Sequence, residues 1–395
     1  MRDALIVGAV RTPVGRREGA LTGVHPVDLL ATPLAELLTR TGVDPGSIDD
    51  HIAGCVSQVG EQSLNVARNA WLAAGLPEHV PSTTIDRQCG SSQQAVAFAA
   101  QGIQAGAYDL VVASGLEHMS RVPMYSSTAG SQPLSDRLIE AYGGRLVHQG
   151  ISADLIAERW EVTREEQDDF AFGSHERAGE AIRAGHFEEE IVAVATTEGV
   201  FEVDECVRME PDRARMRTLG PAFREDRYDE LFPGQLGWTI TAANASQISD
   251  GAGALLLASA SKAKELGVRP LARLVASVAV GDDPVMMLTG PIPATRKLLE
   301  RTGMSLADID IVEINEAFAS VVLAWQRELD IDDAWFEEHV NPSGGAIALG
   351  HPLGASGARL MTTLVHELQR TGGRWGLQVM CEAGGMANAT LVERL

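Results

Sequence analysis

The chain has 395 residues, 45% of them hydrophobic and 22% charged, the composition of an ordinary globular protein rather than a disordered, collagenous or coiled-coil one. Its 32 Lys plus Arg against 54 Asp plus Glu give a formal net charge of −22, which repels a phosphate backbone and excludes nucleic acid as a general partner. An anionic ligand therefore needs a local basic site, and with only three lysines, Lys262, Lys264 and Lys297, that task falls to arginine.

No apolar run reaches the ~18 residues that a membrane span needs, so no membrane partner is expected. The start, residues 1–10, reads as a first strand rather than a secretory leader, and the last residues carry no peroxisomal address. Four cysteines, Cys55, Cys89, Cys206 and Cys381, do not make a disulfide framework in a chain of this length, and without a Cys-x-x-Cys pair no zinc or other metal site is expected. A reducing, cytoplasmic setting follows as the expectation, with free thiols available for chemistry.

The chain contains a repeat. Leu37–Gly54 and Leu298–Asn315, offset by 261, agree at seven of eighteen positions without a gap. Both predict the end of an amphipathic helix, a glycine stop, a short turn and a strand, the second over Ile309–Ile314. The same offset places Cys89 opposite Gly350-His351. Each opens a small-residue loop, then a helix, a glycine turn and a buried strand, the second strand being Trp375–Met380. Two related halves then carry one loop tip each, and a pseudo-twofold brings Cys89 and His351 to one site, since ligand sites in open α/β sheets gather at strand ends and helix N-termini. Residues 119–244 have no counterpart and read as an insertion, with charged helical text over Asp154–Ala184 that includes a capping-box start at Thr163. The strand-like Ala252–Ser259 returns the chain to the first half. The expected division is 1–118 plus 245–268, the insertion 119–244, and a second half 269–395.

Taken alone, each candidate residue has two readings. Cys89 in Asp86-Arg87-Gln88-Cys89-Gly90-Ser91-Ser92 sits before a helix, whose N-terminus favours thiolate; it reads equally as an inert buried thiol. His351 lies in glycine-rich text that suggests close backbone approach to a ligand, or serves as a structural residue. Cys381 ends a buried strand next to glycines, where a small hydrophobe also fits. Asn315 follows a strand as a reactive-site residue or as a turn former and helix cap.

Together, the ordered motifs resemble thiolases, the 3-ketoacyl-CoA thiolase / acetyl-CoA acetyltransferase family. The resemblance runs through Cys89-Gly90-Ser91-Ser92, Gly115-Leu116-Glu117-His118-Met119-Ser120, Asn244-Ala245-Ser246 with Asp250-Gly251, Asn315-Glu316-Ala317-Phe318, Gly350-His351-Pro352 and Cys381 with its glycines. It implies an α/β thiolase fold: two similar α/β halves in a five-layer α-β-α-β-α arrangement with an inserted loop domain, assembled as a homodimer or homotetramer. It implies a ping-pong acyl transfer on CoA thioesters without a metal or redox cofactor, coenzyme A being a substrate. In that scheme Cys89 is the acylated nucleophile, His351 its base, Cys381 the second acid/base and Asn315 the holder of a water. The backbone N–H groups of Cys89 and Ala383 form an oxyanion hole. Ser246 is a pantetheine contact and His148 lies near the acyl end, with Gln149, Ala317 and Phe318 in the same substrate region.

Three positions depart from the family pattern. Ala383 replaces a glycine, and is strained if φ there is positive. Gly220 stands where relatives often carry a basic residue, leaving Arg217 or Arg208 to face CoA. Gln149 follows His148 where several relatives have Met, making the acyl wall more polar. A decarboxylating ketosynthase is the second enzymatic reading, against which Cys381 argues. A non-catalytic acyl-CoA or lipid binder is the third, supported only by Ala383 and Gly220.

Overall fold

The computed structural model describes residues 2–395. The first half runs β1 (Ala4–Arg11), β2 (Gly15–Arg16), α1 (Pro26–Thr41), β3 (Asp50–Gly54), α2 (Val66–Ala73), β4 (Ser82–Ile85), α3 (Ser91–Ala105) and β5 (Leu110–His118). The insertion holds α4 (Asp136–Ala141), α5 (Gln149–Arg159), α6 (Arg164–Arg183), β6 (Val194–Thr196), β7 (Gly199–Phe201), α7 (Arg213–Arg217) and α8 (Asp226–Leu231). The chain then returns through β8 (Ser249–Ser259) and α9 (Ala260–Leu266). The second half runs β9 (Ala272–Gly281), α10 (Pro291–Thr302), β10 (Ile311–Ile314), α11 (Ala319–Glu328), α12 (Asp333–His339), α13 (Ala346–Leu349), α14 (Ser356–Thr371), β11 (Trp375–Glu382) and β12 (Met386–Arg394).

The repeat is visible in the punctuation. Both α1 and α10 begin on a proline and end on a glycine in the left-handed region, Gly42 at φ 64° and Gly303 at φ 69°. Proline at the first helical position loses no hydrogen bond, and glycine alone takes positive φ without strain. A short 3₁₀ turn then leads into β3 in one half and β10 in the other. That turn, Leu306–Asp308, is closed by Ser305 and Asp308 capping each other, so β10 starts at Ile311 rather than at Ile309. The thiol Cys381 lies inside a strand: β11 extends two residues past the expected Met380, because Cys381 and Glu382 pair with Ala387 and Met386.

Ten of the described strands join in one sheet, ordered β10-β11-β12-β9-β1-β8-β5-β3-β4 with β2 on β8, while β6 and β7 pair separately. The two halves meet where β1 pairs antiparallel with β9 over Ala4–Ile6. Helices complete five layers. Leu29, Leu34, Leu37 and Trp71 of α1 and α2 cover one face of the first half. Val96, Ile103, Met361 and Leu364 of α3 and α14 fill the middle against strands of both halves. Leu298, Val322 and Trp325 of α10 and α11 cover the far face of the second half. Each fully buried side chain of this size contributes about 1.5–3 kcal/mol of transfer free energy. The capping box at Thr163 is present, with its hydroxyl and Glu166 bonded reciprocally, but the expected charged helix over Asp154–Ala184 is two helices, α5 and α6, divided near Trp160.

Candidate active site

The nucleophile candidate sits on a constrained turn. Gln88, just before Cys89, has φ 48°, a conformation that a side chain with a Cβ adopts only when its surroundings enforce it. Here Asp86 Oδ1 accepts from Gln88 N–H at 2.6 Å, and Ser91 Oγ donates to Gln88 O at 2.6 Å. Cys89 is thereby presented immediately before Gly90, the N-cap of α3. The expectation of a stabilised thiolate is not met. Burial pushes the Cys89 thiol well above its ordinary range, and Cys381 and Glu382 add to the rise. The N–H groups of Cys89 and Ala383 act on the sulfur in the opposite sense. Desolvation outweighs the helix terminus, so Cys89 rests as a thiol and needs a base at the moment of attack.

His351, the candidate base, is held from two sides. Its N–H donates to Ser249 Oγ at 2.7 Å, and its Nδ1 lies 2.6 Å from Ser356 Oγ. Because Ser356 Oγ donates to Pro352 O at 2.9 Å, it accepts from Nδ1–H, which leaves Nε2 with the free lone pair. Burial, with the Arg359 guanidinium adding, lowers the imidazole to about 3, so His351 is neutral, with its lone pair at Nε2. That atom is 3.5 Å from Asn315 Nδ2, which in turn donates to Cys381 Sγ at 3.7 Å. Asn315 is not a helix cap, since α11 begins at Ala319 with Phe318 as its N-cap; its buried Oδ1 has no hydrogen-bond partner among the described residues. Cys381 is pushed up to about 11 by burial, with the Asn315 side chain opposing and Glu382 adding.

The turn Ala383-Gly384-Gly385 joins β11 to β12. The left-handed positions fall on Gly384 at φ 85° and Gly385 at φ 75°. Ala383 is not among the residues with positive φ. The expected conflict at Ala383 does not arise, because the two glycines carry the backbone reversal.

A cavity of about 370 Å³ reaches His351, with Ser246, His148, Gln149, Ala317 and Phe318 also in its wall. Met119 and Leu353 belong both to this wall and to the apolar cluster around Cys89. Ala317 and Phe318 pack in the cluster around Cys381. Ser246 is fixed by its N–H to Ala317 O at 2.9 Å. His148 caps α5, accepting at Nδ1 from Gly150 N–H, and stacks on Phe223 with centroids 5.0 Å apart. Gln149 Nε2 reaches Met124 Sδ at 4.0 Å. Arg217 is not brought to this cavity: it pairs with Glu165 at 2.7 Å and Asp169 at 3.7 Å on the insertion. Arg208 also lies outside the wall, and Arg17 is the arginine at the rim.

Sequence reasoning missed three supporting groups. Ser356 sets the His351 tautomer. Arg17 offers the cation at the rim. Glu117 accepts from the N–H groups of Val56, Ser57 and Gly354 and from Gln62 Nε2, at 2.9–3.0 Å, tying the loop after His351 to the first half. Glu117 lies in a quoted motif, which was the one signal available; its partners are distant in sequence.

Comparison with known proteins agrees with this geometry. The family description "Thiolase, N-terminal domain" matches residues 4–261 and "Thiolase, C-terminal domain" matches 268–394. The chain is 52% identical to a steroid 3-ketoacyl-CoA thiolase of Mycobacterium tuberculosis, over 100% of this chain and 95% of that protein. It is 43% identical to a beta-ketoadipyl-CoA thiolase of Escherichia coli over 100% of both. Its structure is similar to the crystal structure of the Bacillus anthracis acetyl-CoA acetyltransferase, with TM-score 0.88, 40% identity, and 100% and 99% of the two chains covered. With an α/β architecture of two repeated halves and both family descriptions matched, the chain belongs to the thiolase family, enzymes that cleave or form CoA thioesters of 3-keto acids.

Proposed function

We propose that this thiolase works by a ping-pong mechanism through an acyl-enzyme on Cys89, cleaving a 3-ketoacyl-CoA to acetyl-CoA and a shortened acyl-CoA. The observation that carries the reading is the line from His351 Nε2 through Asn315 Nδ2 to Cys381 Sγ, with the Ala383 N–H directed at the Cys89 sulfur. His351 takes the Cys89 proton as the sulfur attacks the 3-keto carbon. The carbon–carbon bond breaks, the enolate of acetyl-CoA forms, and Cys381 protonates its carbon. The proton on His351 then returns to Cys381. In the second half-reaction CoA attacks the acyl-enzyme, and His351 moves the CoA proton back to Cys89.

Fixed donors lower the charge-developing steps, each worth about 2.7–4 kcal/mol in comparable holes. The N–H groups of Cys89 and Ala383 serve the tetrahedral intermediate, and protonated His351 with a water on Asn315 serves the enolate. A thiol suits the nucleophile because it both attacks and leaves well, and the chemistry needs no cofactor beyond CoA itself. The CoA arm occupies the cavity beside Ser246 and His148, with Arg17 at the phosphate end.

An apolar groove of about 730 Å³ runs from Gly384 and Gly385 past Met287 and Val147 to Leu138 and Tyr142. It supports an acyl group larger than acetyl, in line with the steroid thiolase among the relatives. The test is intact mass spectrometry after mixing with 3-ketoacyl-CoAs of varied acyl group. The expected result is an adduct on Cys89 that free CoA releases. Cys89→Ser should abolish it, while Cys381→Ala should still label with an activated acyl donor and fail at condensation. Labelling that survives loss of Cys89 overturns the assignment.

A further inference from the structure

Glu382 ends β11 between Cys381 and the oxyanion turn at Ala383, and no step of the mechanism above uses it. It is fully buried, and neither carboxyl oxygen has a hydrogen-bond partner among the described residues. The side chain fills the place that a side chain at position 90 would take: a Cβ on Gly90 would stand 1.8 Å from Glu382 Oε1. It therefore lies against the N-terminal end of α3, which favours an anion. Yet the nearest backbone donors are occupied, Gly90 N–H by Arg87 O and Ser91 N–H by Gln88 O.

The charged and titratable groups coupled electrostatically to this carboxyl are Arg87, Asp86 and Cys89 from the loop before α3, and Cys381, its neighbour on β11. We propose that Glu382 is a positioning residue for both sulfurs: it packs against Gly90 as an uncharged acid, and its ionisation disfavours the thiolates of Cys89 and Cys381. Burial, with Arg87 opposing and Asp86 adding, pushes its carboxyl up to about 8, so the change of charge falls close to neutral pH. Below that pH the carboxyl is neutral and adds no repulsion to a thiolate. Above it the carboxylate opposes proton loss at Cys89 and Cys381, both of which it raises.

The inference rests on the roles given to Cys89 and Cys381 above, and its test is independent of turnover. Alkylation of Cys89 by iodoacetamide, followed by peptide mass spectrometry, reports its thiolate across about pH 6.5 to 9. In Glu382→Gln the rate relative to the unmodified protein should rise roughly tenfold across that range, as the repulsion that only the carboxylate exerts is lost. Glu382→Leu, also uncharged, should give the same rising ratio and serves if the amide variant does not fold. A merely structural role shifts the ratio equally at every pH, so a flat ratio overturns the proposal. Acylation of Cys89 by a 3-ketoacyl-CoA, measured on the same samples, separates the two readings: no acyl adduct in the unmodified protein rejects the ping-pong scheme, whatever the alkylation ratio does.

Discussion

Ser356 holds the tautomer on which the proposed base depends. It receives the Nδ1 proton of His351 at 2.6 Å while donating to Pro352 O. Removing it by Ser356→Ala leaves a buried N–H unpaired and frees the ring to turn, a loss of about 1–1.5 kcal/mol in the oriented state. Acylation should slow about tenfold with little change in CoA affinity, measured as single-turnover kinetics beside a CoA titration. Cys89, His351 and Cys381 stood out in the sequence because each sits in a short motif of glycines and small residues, and Asn315 because Asn315-Glu316-Ala317-Phe318 follows a strand. Ser356 was not, because nothing in its neighbours marks a serine as the partner of a histidine five positions earlier. The expected arginine, Arg217, failed for the converse reason. Its charge was legible, but its pairing with Glu165 and Asp169 on α6 depends on how the insertion folds.

At the scale of elements, the site depends on how closely α3 and α14 cross. A Cβ on Gly357 would lie 2.2 Å from Gln93 N, and one on Gly54 would lie 2.3 Å from Ser92 N. Backbone atoms cannot give way cheaply, so these glycines set the spacing of the middle layer. Gly357→Ala should force the helices apart, destabilise by about 1–3 kcal/mol and move Cys89 relative to His351. Thermal unfolding and the acylation rate should fall together; a variant with an unchanged melting temperature would contradict this account. The ends of α1 and α10 were foreseeable from their glycine stops and apolar spacing. The strand ends were not: β11 runs on through Glu382 because β12 pairs with it, a partner that local sequence does not reveal.

At the scale of the whole molecule, β4 is the outermost strand of the first half and leaves one edge unpaired among the described residues. Around it stand exposed apolar side chains: Leu64 at 86% exposure, beside Asn65 that bonds Ser82 O, with Leu72 on α2 and Phe98 on α3. An open edge flanked by exposed apolar groups favours association with another chain, and we propose it as the contact of the expected homodimer or homotetramer. Leu64→Glu with Phe98→Glu should lower the mass found by sedimentation at micromolar concentration, whereas an unchanged mass would place the contact elsewhere. The sequence by itself showed the repeat and, through short ordered motifs, the resemblance to thiolases, because repeats and motifs are local and survive without contacts. Only the tertiary structure decided the charge states of the candidate side chains and their support: burial makes Cys89 a thiol and His351 a neutral base, Glu382 comes to lie against Gly90, and Ala383 is relieved by the two glycines that follow it. Those outcomes turn on desolvation and on partners from distant segments, and neither exists until the layers have packed.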